Sequence, residues 1–259
     1  MTRRRALGQH FLRDRGIARS IVDLVAPTPR DLVVEVGPGE GALTGELAAR
    51  AGRVVALEVD PRLVAALRAR LTGIEIVEAD ARTWDYTALS RPPGGRVLVV
   101  GNLPYSVGTA ILTALVGARP AIDEMAVMLQ REVAERVAAA PGSRVYGSLS
   151  VFVQLRADVR VALRVPPGAF RPPPKVESAV LRLSTLPGLR VPVADEARLT
   201  EVVRAAFARR RKTLVNALAA GLAMSAPDVR QAIVGAGIDP GRRPETLTLD
   251  EFSAVAGRL

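Results

Sequence analysis

The chain has 259 residues, of which 49% are hydrophobic, so it can build a sizeable core in one or two domains. It has no cysteine and one histidine, which excludes disulfides and thiolate sites and disfavours a Ser-His-Asp relay or a histidine-rich metal site. The 36 basic residues outnumber the 26 acidic ones, and the formal charge of +10 favours nucleic acid as a partner. Any chemistry must therefore depend on carboxylates, amides, main-chain groups or a cofactor.

The N-terminal end of the chain is a short basic arm. No apolar signal core follows residues 1–5, and no apolar run approaches the roughly 20 residues that span a bilayer, so we expect a cytoplasmic protein without a membrane partner. Residues 1–13 form the arm, whose apolar end we expect to lie over a cofactor pocket. Asp14 is expected to cap the helix that follows.

A strand, a glycine loop and a helix follow one another from residue 32. The strand covers 32–36, the loop 37–41 and the helix 42–51. This order is typical of a site where a nucleotide-like ligand approaches the main chain closely. Glu35 stands just before the loop, where a carboxylate would repel a pyrophosphate but could attract an ammonium group.

Acidic residues end the next two predicted strands. Glu58 follows the strand 54–57, roughly 20 residues beyond the glycines, and suits the ribose hydroxyls of NAD or of S-adenosylmethionine equally. Asp80 follows the strand 74–77. It either accepts a hydrogen bond from an adenine amino group or caps a turn.

The most informative stretch directly follows the apolar strand 97–100. Asn102 offers an acceptor oxygen, and Pro104 biases Leu103 to an extended conformation, so the Leu103 carbonyl is free to point into a pocket. Tyr105 offers a ring for stacking. We interpret the group as a holder for a flat base with an exocyclic amine, the alternative being a strand-to-helix turn whose tyrosine covers the core.

Helices and strands continue to alternate beyond this motif. A loop at 141–147 is both basic and aromatic, and Arg144 in it is either a nucleic-acid contact or part of an ordinary connection. The remaining predicted elements of this half are helices 110–116 and 131–139 and strands 125–129, 159–165 and 178–183.

A proline-rich loop, 170–178, separates the last two strands. Its three prolines would hold Phe170 in a defined place, so that its ring faces Tyr105 and the two rings form a slot for a base. The alternative is that Phe170 is a plug in the core. Lys175 in this loop is a candidate phosphate contact.

The pattern becomes helical after a Pro/Gly-rich linker at 187–192. We therefore predict two domains, 1–187 and a helical domain at 188–259 that binds RNA. A basic cluster between two of its helices is either a solvated face or a phosphate contact, and the charge of the chain favours contact. The cluster consists of Arg209, Arg210, Arg211 and Lys212.

These stretches together resemble the ribosomal RNA adenine N6-dimethyltransferase family, of the kasugamycin-sensitivity type. The central motif 101–105 and the proline loop 170–178 are its most specific elements, and the glycine loop 37–41 is the least specific. The segments 210–213, 237–240 and 243–245 match the family's C-terminal part, so the resemblance covers essentially the whole chain.

The resemblance implies a Rossmann-like class I α/β fold with a small C-terminal all-helical domain. It implies S-adenosylmethionine as methyl donor and, as acceptors, two adjacent adenosines in the last hairpin of 16S rRNA in the immature 30S subunit. We expect a monomer. By motif, His10, Leu12, Gly37, Gly39, Glu58, Asp80 and Asn102 are its cofactor contacts, and Asn102, Leu103, Pro104, Tyr105 and Phe170 form its target-adenine pocket. The family usually has Asn where this chain has His10, which leaves the tautomer and contact of that side chain open.

Four other functions compete with this interpretation. The nearest is the related large-subunit rRNA methyltransferase of macrolide resistance, against which the C-terminal segment 237–240 argues. A DNA adenine methyltransferase and a nicotinamide dehydrogenase are less well matched. A non-catalytic RNA-binding assembly factor is disfavoured by the intact Asn-Leu-Pro-Tyr motif.

Overall fold

The structure is a computed structural model, and it describes residues 10–209 and 212–259. The first nine residues of the arm, and Arg210 and Arg211 of the basic cluster, lie outside the described residues. The contacts divide the chain into two compact units. The first consists of residues up to Ala134 and Asp158–Pro187, and the second of Glu135–Ala157 and Gly188–Leu259.

Seven strands form one sheet and two short strands pair separately. The described strands are β1 (Phe11–Leu12), β2 (Leu32–Val36), β3 (Arg53–Glu58), β4 (Glu75–Glu78), β5 (Val97–Asn102), β6 (Glu124–Gln130), β7 (Ala157–Val165), β8 (Phe170–Arg171) and β9 (Ser178–Thr185).

The large sheet has the order β4-β3-β2-β5-β6-β9-β7. From β4 to β6 all pairs are parallel, and β9 is antiparallel to β6. Strands β2 and β5 are central and almost completely buried, as their unbroken apolar sequences indicate. The strand order reverses between β2 and β5, and in such sheets the crevice at their carboxyl ends binds the ligand.

Most predicted elements are present, with ends that differ by a few residues. Asp14 caps the first helix by accepting from the amide of Ile17 over 3.0 Å, as expected. Among the described residues, no helix has the length and apolar character that crossing a membrane requires. The described helices are α1 (Arg15–Asp23), α2 (Thr44–Ala48), α3 (Pro61–Arg70), α4 (Gly108–Gly117), α5 (Arg131–Val137), α6 (Ser148–Gln154), α7 (Glu196–Phe207), α8 (Leu214–Leu222), α9 (Ala226–Gly235) and α10 (Leu249–Ala256).

The second unit includes a segment, residues 135–157, that the sequence placed in the first domain. Tyr146 of this segment is completely buried and meets the ring of Phe207 edge-on, with ring centroids 6.0 Å apart. Val151 and Leu155 belong to the same core. The ring of this loop therefore packs in the core, and a contact between the loop and nucleic acid, left open by the sequence, stays a prediction for Arg144.

Candidate active site

The carboxyl ends of β2, β3 and β5, together with the turn after β4, surround a cavity of about 300 Å³. This volume lies at the lower end of the range for small-molecule sites. Nine residues predicted from the sequence line it, namely His10, Gly37, Gly39, Glu58, Asp80, Asn102, Leu103, Pro104 and Tyr105. The expected position of the pocket, at the point where the strand order reverses, therefore agrees with the structure.

The glycine loop brings the main chain close to the arm. Gly37 and Gly39 have φ angles of +67° and +57°, which only glycine adopts without strain. A Cβ atom on Gly39 would lie 2.8 Å from the ring of Phe11, so a larger residue would also push the arm away. The loop thus needs glycine both for its conformation and for the packing of the arm.

Glu58 is almost completely buried at the end of β3. Its carboxylate accepts from the amides of Gly39 at 3.2 Å, Val59 at 2.9 Å and Asp60 at 3.0 Å. Burial raises the pKa of Glu58, and these hydrogen bonds oppose the rise. The carboxyl group is therefore fixed against the cavity, where it can accept from ligand hydroxyls.

Val59 is a lining residue that the sequence analysis missed. Its side chain is 51% exposed and lines the cavity directly beside Glu58. An exposed aliphatic side chain at this place offers a surface to the face of a base. Its position after the acid at a strand end was the available signal.

Asp80 forms the turn cap that the sequence left open as one of two alternatives. It caps its turn, because its carboxylate accepts from the amide of Arg82 at 2.9 Å and from the guanidinium at 2.6 Å. These bonds lower the pKa of Asp80. The residue also lines the cavity. Its contact with an adenine amino group stays a prediction.

The arm fixes the side chain of Asn102. Its Nδ2 atom donates to the main-chain oxygen of His10 over 2.9 Å. An amide has its donors on one atom and its acceptor on the other, so this bond assigns the orientation of the group. The Oδ1 atom is left as an acceptor in the cavity.

His10 and Tyr105 are both tied to the proline loop. The Nδ1 atom of His10 lies 2.8 Å from the carbonyl oxygen of Pro172, and because a carbonyl only accepts, Nδ1 carries the hydrogen. The Tyr105 hydroxyl shares a hydrogen bond of 2.5 Å with Ser178. Burial raises the pKa of Tyr105, so its hydroxyl is neutral at physiological pH. The rings of His10 and Tyr105 lie 5.5 Å apart, with an angle of 36° between their planes.

Phe170 does not form the predicted slot with Tyr105. It is 4% exposed, belongs to the hydrophobic core and does not line the cavity in the described part of the chain. Strand β8 pairs with β1, and this pairing sets Phe170 opposite Leu12, which is equally buried. Leu12 is likewise absent from the described lining of the main cavity and lines only a small neighbouring recess. The core plug, left open as an alternative, is what the structure forms.

Glu35 lines a small recess next to the cavity. The volume of the recess is about 20 Å³, and Gly37, Gly39 and Asn102 line both spaces. Neither oxygen of Glu35, which is completely buried, has a hydrogen-bond partner. Burial raises the pKa of Glu35 to about 8; the Thr44 hydroxyl opposes the rise, and nearby Glu58 adds to it. An unpartnered acceptor beside the glycine loop fits a ligand with a positively charged end.

The described residues of the predicted RNA surface are exposed. They are Arg144, Lys175, Arg209 and Lys212, whereas Arg210 and Arg211 lie outside the described residues. Their contact with phosphate stays a prediction.

The strand order, the acids after β3 and β4 and the polar motif after β5 define a Rossmann-like methyltransferase that uses S-adenosylmethionine. The chain belongs to the family described as ribosomal RNA adenine dimethylase, which matches residues 1–256.

Curated relatives match nearly the full length of the chain. It is 47% identical over 258 residues to a ribosomal RNA small subunit methyltransferase A of Geobacter metallireducens, covering 98% of this chain and 94% of that protein. The protein of the same name from Moorella thermoacetica is 44% identical over 268 residues, and the match covers 99% of this chain and 92% of that protein.

Two solved structures share the fold over almost the whole chain. The 23S rRNA methyltransferase ErmE is 29% identical with a TM-score of 0.71, covering 96% of this chain and 99% of that one. A dimethyladenosine transferase from Plasmodium falciparum is 23% identical with a TM-score of 0.73, and the match covers 95% of this chain and 96% of that one. The latter likeness supports the fold alone.

Proposed function

We propose that this chain transfers methyl groups to N6 of two adjacent adenosines in the 3′-terminal hairpin of 16S rRNA, giving N6,N6-dimethyladenosines in the immature 30S subunit. The observation that carries the proposal is the orientation of the Asn102 amide: Nδ2 is bound to the arm, which leaves Oδ1 as the acceptor of a residue that lines the cavity. The names of the curated relatives support the choice of small-subunit RNA. The reaction would take place in the cytoplasm, where we expect the chain to act as a monomer.

Asn102 and Leu103 would hold the target amine by hydrogen bonding. Oδ1 of Asn102 accepts from one N6 hydrogen, and the carbonyl of Leu103 accepts from the other. With both hydrogens engaged, the nitrogen lone pair is less delocalised into the ring and can be directed at a methyl carbon. No strong base is required, which agrees with a chain that has no cysteine and one histidine.

S-adenosylmethionine supplies an activated methyl group when bound. Glu58 would receive its ribose hydroxyls and Asp80 its adenine amino group, while the glycine loop approaches its amino-acid end. Tyr105 would cover one face of the target adenine. Its hydroxyl bond to Ser178 fixes the ring, so little side-chain freedom is lost when a base stacks on it.

Two observations support small-subunit over large-subunit RNA as the substrate. The chain is 47% identical to a small-subunit methyltransferase and 29% identical to the 23S rRNA methyltransferase ErmE. Pro244 of the second unit is buried, and Ile238 lies in the core of that unit. The C-terminal segment that resembles the small-subunit type is therefore packed into the second unit.

The test is transfer of tritiated methyl groups to 30S subunits that lack the modification, with 50S subunits as the competing substrate. We expect label on two adjacent adenosines of 16S rRNA and four methyl groups per subunit. Label on 23S rRNA would identify the large-subunit enzyme. Binding of 30S subunits without any transfer by the wild-type chain would leave a non-catalytic assembly factor.

A further inference from the structure

Glu35 is a buried acid that the proposed transfer of the methyl group does not use. It is the fourth residue of β2, its side chain is 0% exposed, and neither carboxyl oxygen has a hydrogen-bond partner. The hydroxyl of Thr44, at the start of α2, is the neighbouring polar group; it does not meet hydrogen-bond geometry with Glu35, and its lowering effect on the pKa of that carboxyl is outweighed by burial. A charged carboxylate in such a place is costly, so the group is expected to be neutral until a cation arrives.

The surroundings of Glu35 supply no cation. Its neighbours in the register of the sheet are Ala56 on β3 and Val100 on β5, and none of the described residues lining the recess is basic. The charged groups that face it are acids. Glu58 on β3 adds repulsion, and Glu40 of the glycine loop is paired with Arg13 at 2.9 Å.

The position of the recess indicates which end of the cofactor reaches it. Glu58 and Asp80 occupy the part of the cavity that follows β3 and β4, where the ribose and adenine are expected. The recess lies beside Gly37, which directly follows β2, and Asn102, the last residue of β5. The remaining part of S-adenosylmethionine is its amino-acid end, which carries an ammonium group next to the sulfonium.

We propose that Glu35 holds a proton in the unliganded protein and releases it when the positively charged amino-acid end of S-adenosylmethionine enters beside the glycine loop. The O–H bond of Glu35 breaks, the proton passes to the buffer, and the carboxylate becomes the partner of the ammonium group. The inference rests on the assignment of the cofactor, and it makes cofactor binding an exchange of a proton for a cation.

Calorimetry measures the exchange directly. S-adenosylmethionine is titrated into the full chain at pH 7.0 in phosphate, HEPES and Tris, whose ionisation heats differ, and the slope of heat against ionisation enthalpy counts the protons released. Because the pKa of Glu35 is about 8, the wild type should release roughly 0.9 more proton per bound ligand than Glu35→Gln at this pH. The difference between the two proteins cancels any proton that the ligand's own amine takes up. Equal proton counts would overturn the proposal.

A truncated ligand identifies the end that triggers release. 5′-Methylthioadenosine lacks the amino-acid end and should bind to the wild type without proton release. For S-adenosylmethionine, Kd should fall about tenfold per pH unit between about pH 6 and 7.5 and rise again above about pH 8, where the ligand's own ammonium group loses its proton. Release of the same proton by 5′-methylthioadenosine would assign it to another group and contradict the proposal.

Infrared difference spectra of the wild type keep the proposal testable if Glu35→Gln fails to fold. At pH 7 the band of a protonated carboxyl group should be present before S-adenosylmethionine is added and should disappear afterwards. Labelling with ¹³C-glutamate should shift this band, which assigns it to a glutamate. Absence of that band from the unliganded protein would refute the inference. Failure of the wild type to bind S-adenosylmethionine at all would refute the cofactor assignment instead.

Discussion

The side-chain amide of Asn102 donates to the main-chain oxygen of His10 over 2.9 Å, which joins the last residue of β5 to the arm. The two residues are 92 positions apart in the chain. His10 is in turn bound to Pro172 of the proline loop. The amide that would hold the target base is therefore oriented by the arm, and the arm is held by the loop.

Replacement of Asn102 by alanine should reduce methyl transfer by at least about 100-fold, because a positioned hydrogen-bonding group at a reacting centre contributes roughly 3–4 kcal/mol. The side chain is only partly buried, so the unfolding midpoint should change little. Single-turnover transfer to unmodified 30S subunits measures the effect. Asn102→Asp keeps an acceptor oxygen but loses the donor to His10, and should be intermediate. Near-normal turnover by Asn102→Ala would refute the assigned role.

The single histidine should be present as the Nδ1–H tautomer, because its Nδ1 atom faces the carbonyl oxygen of Pro172 at 2.8 Å. Nitrogen-15 NMR resolves the two ring nitrogens, and no other histidine overlaps. His10→Asn keeps a donor and should retain most transfer activity, whereas His10→Ala should lose about three- to tenfold, the net value of one hydrogen bond. Observation of the Nε2–H tautomer at neutral pH would contradict the bond.

The ring and the hydroxyl of Tyr105 should contribute separately. Tyr105→Ala removes the stacking surface, worth roughly 1–3 kcal/mol, and should lower kcat/KM for 30S subunits by about 5- to 150-fold. Tyr105→Phe loses only the bond to Ser178 and should stay within about tenfold of the wild type. A double-mutant cycle with Ser178→Ala measures the coupling. Equal losses in Tyr105→Phe and Tyr105→Ala would mean that the hydroxyl, not the ring, matters.

Phe170→Ala should destabilise the first unit by about 3–5 kcal/mol, because the side chain is buried in the core. The single tryptophan, Trp84, lies in the same unit, so its fluorescence during urea unfolding reports the loss. Phe170→Leu is the matched control and should recover most of the stability. Unchanged stability of Phe170→Ala together with weakened binding of RNA would restore the stacking role that the sequence predicted.

Asp31 should make the first unit sensitive to acid. Burial by itself raises the pKa of Asp31, but hydrogen bonds from Arg96 and Thr28 outweigh it and hold the pKa at about 2. The folded state therefore binds fewer protons than the unfolded state between about pH 4 and 2. The contribution, about 2 kcal/mol, is present above pH 4 and is lost as the pH falls towards 2.

Comparison of the wild type with Asp31→Asn isolates this contribution from those of other carboxylates. The free energy of unfolding, followed through Trp84, should differ by about 2 kcal/mol at pH 6, and the difference should close near pH 2. A difference that does not change with pH would show that the bonds of Asp31 do not depend on its charge.

Residues close together in the chain were placed correctly from the sequence. The strand before Asn102, the acids after β3 and β4, and the glycines after β2 all depend on local signals, such as an apolar run that ends at a polar residue. Parallel strands bring their carboxyl ends to one edge, so a pattern of strand ends was sufficient to predict that these residues meet.

Phe170 was predicted to face a ligand and lies in a core, as does Tyr146 of the basic and aromatic loop. An aromatic ring in a loop has the same local signal whether it binds a base or fills a space, because the choice depends on which distant side chains surround it. Leu12 takes up this position opposite Phe170 only through the pairing of β1 with β8. The helix α6 and the place of residues 135–157 in the second unit were missed for the same reason.

The sequence by itself determined the class of fold, the polar group after β5 and the acids that line the cavity, because periodicity and strand ends are local properties of the chain. Only the tertiary structure decided that the arm orients the Asn102 amide, that Phe170 is a core residue and that Glu35 is buried without a partner. These are properties of groups up to 162 positions apart, and burial and hydrogen bonding exist only once folding brings such groups together.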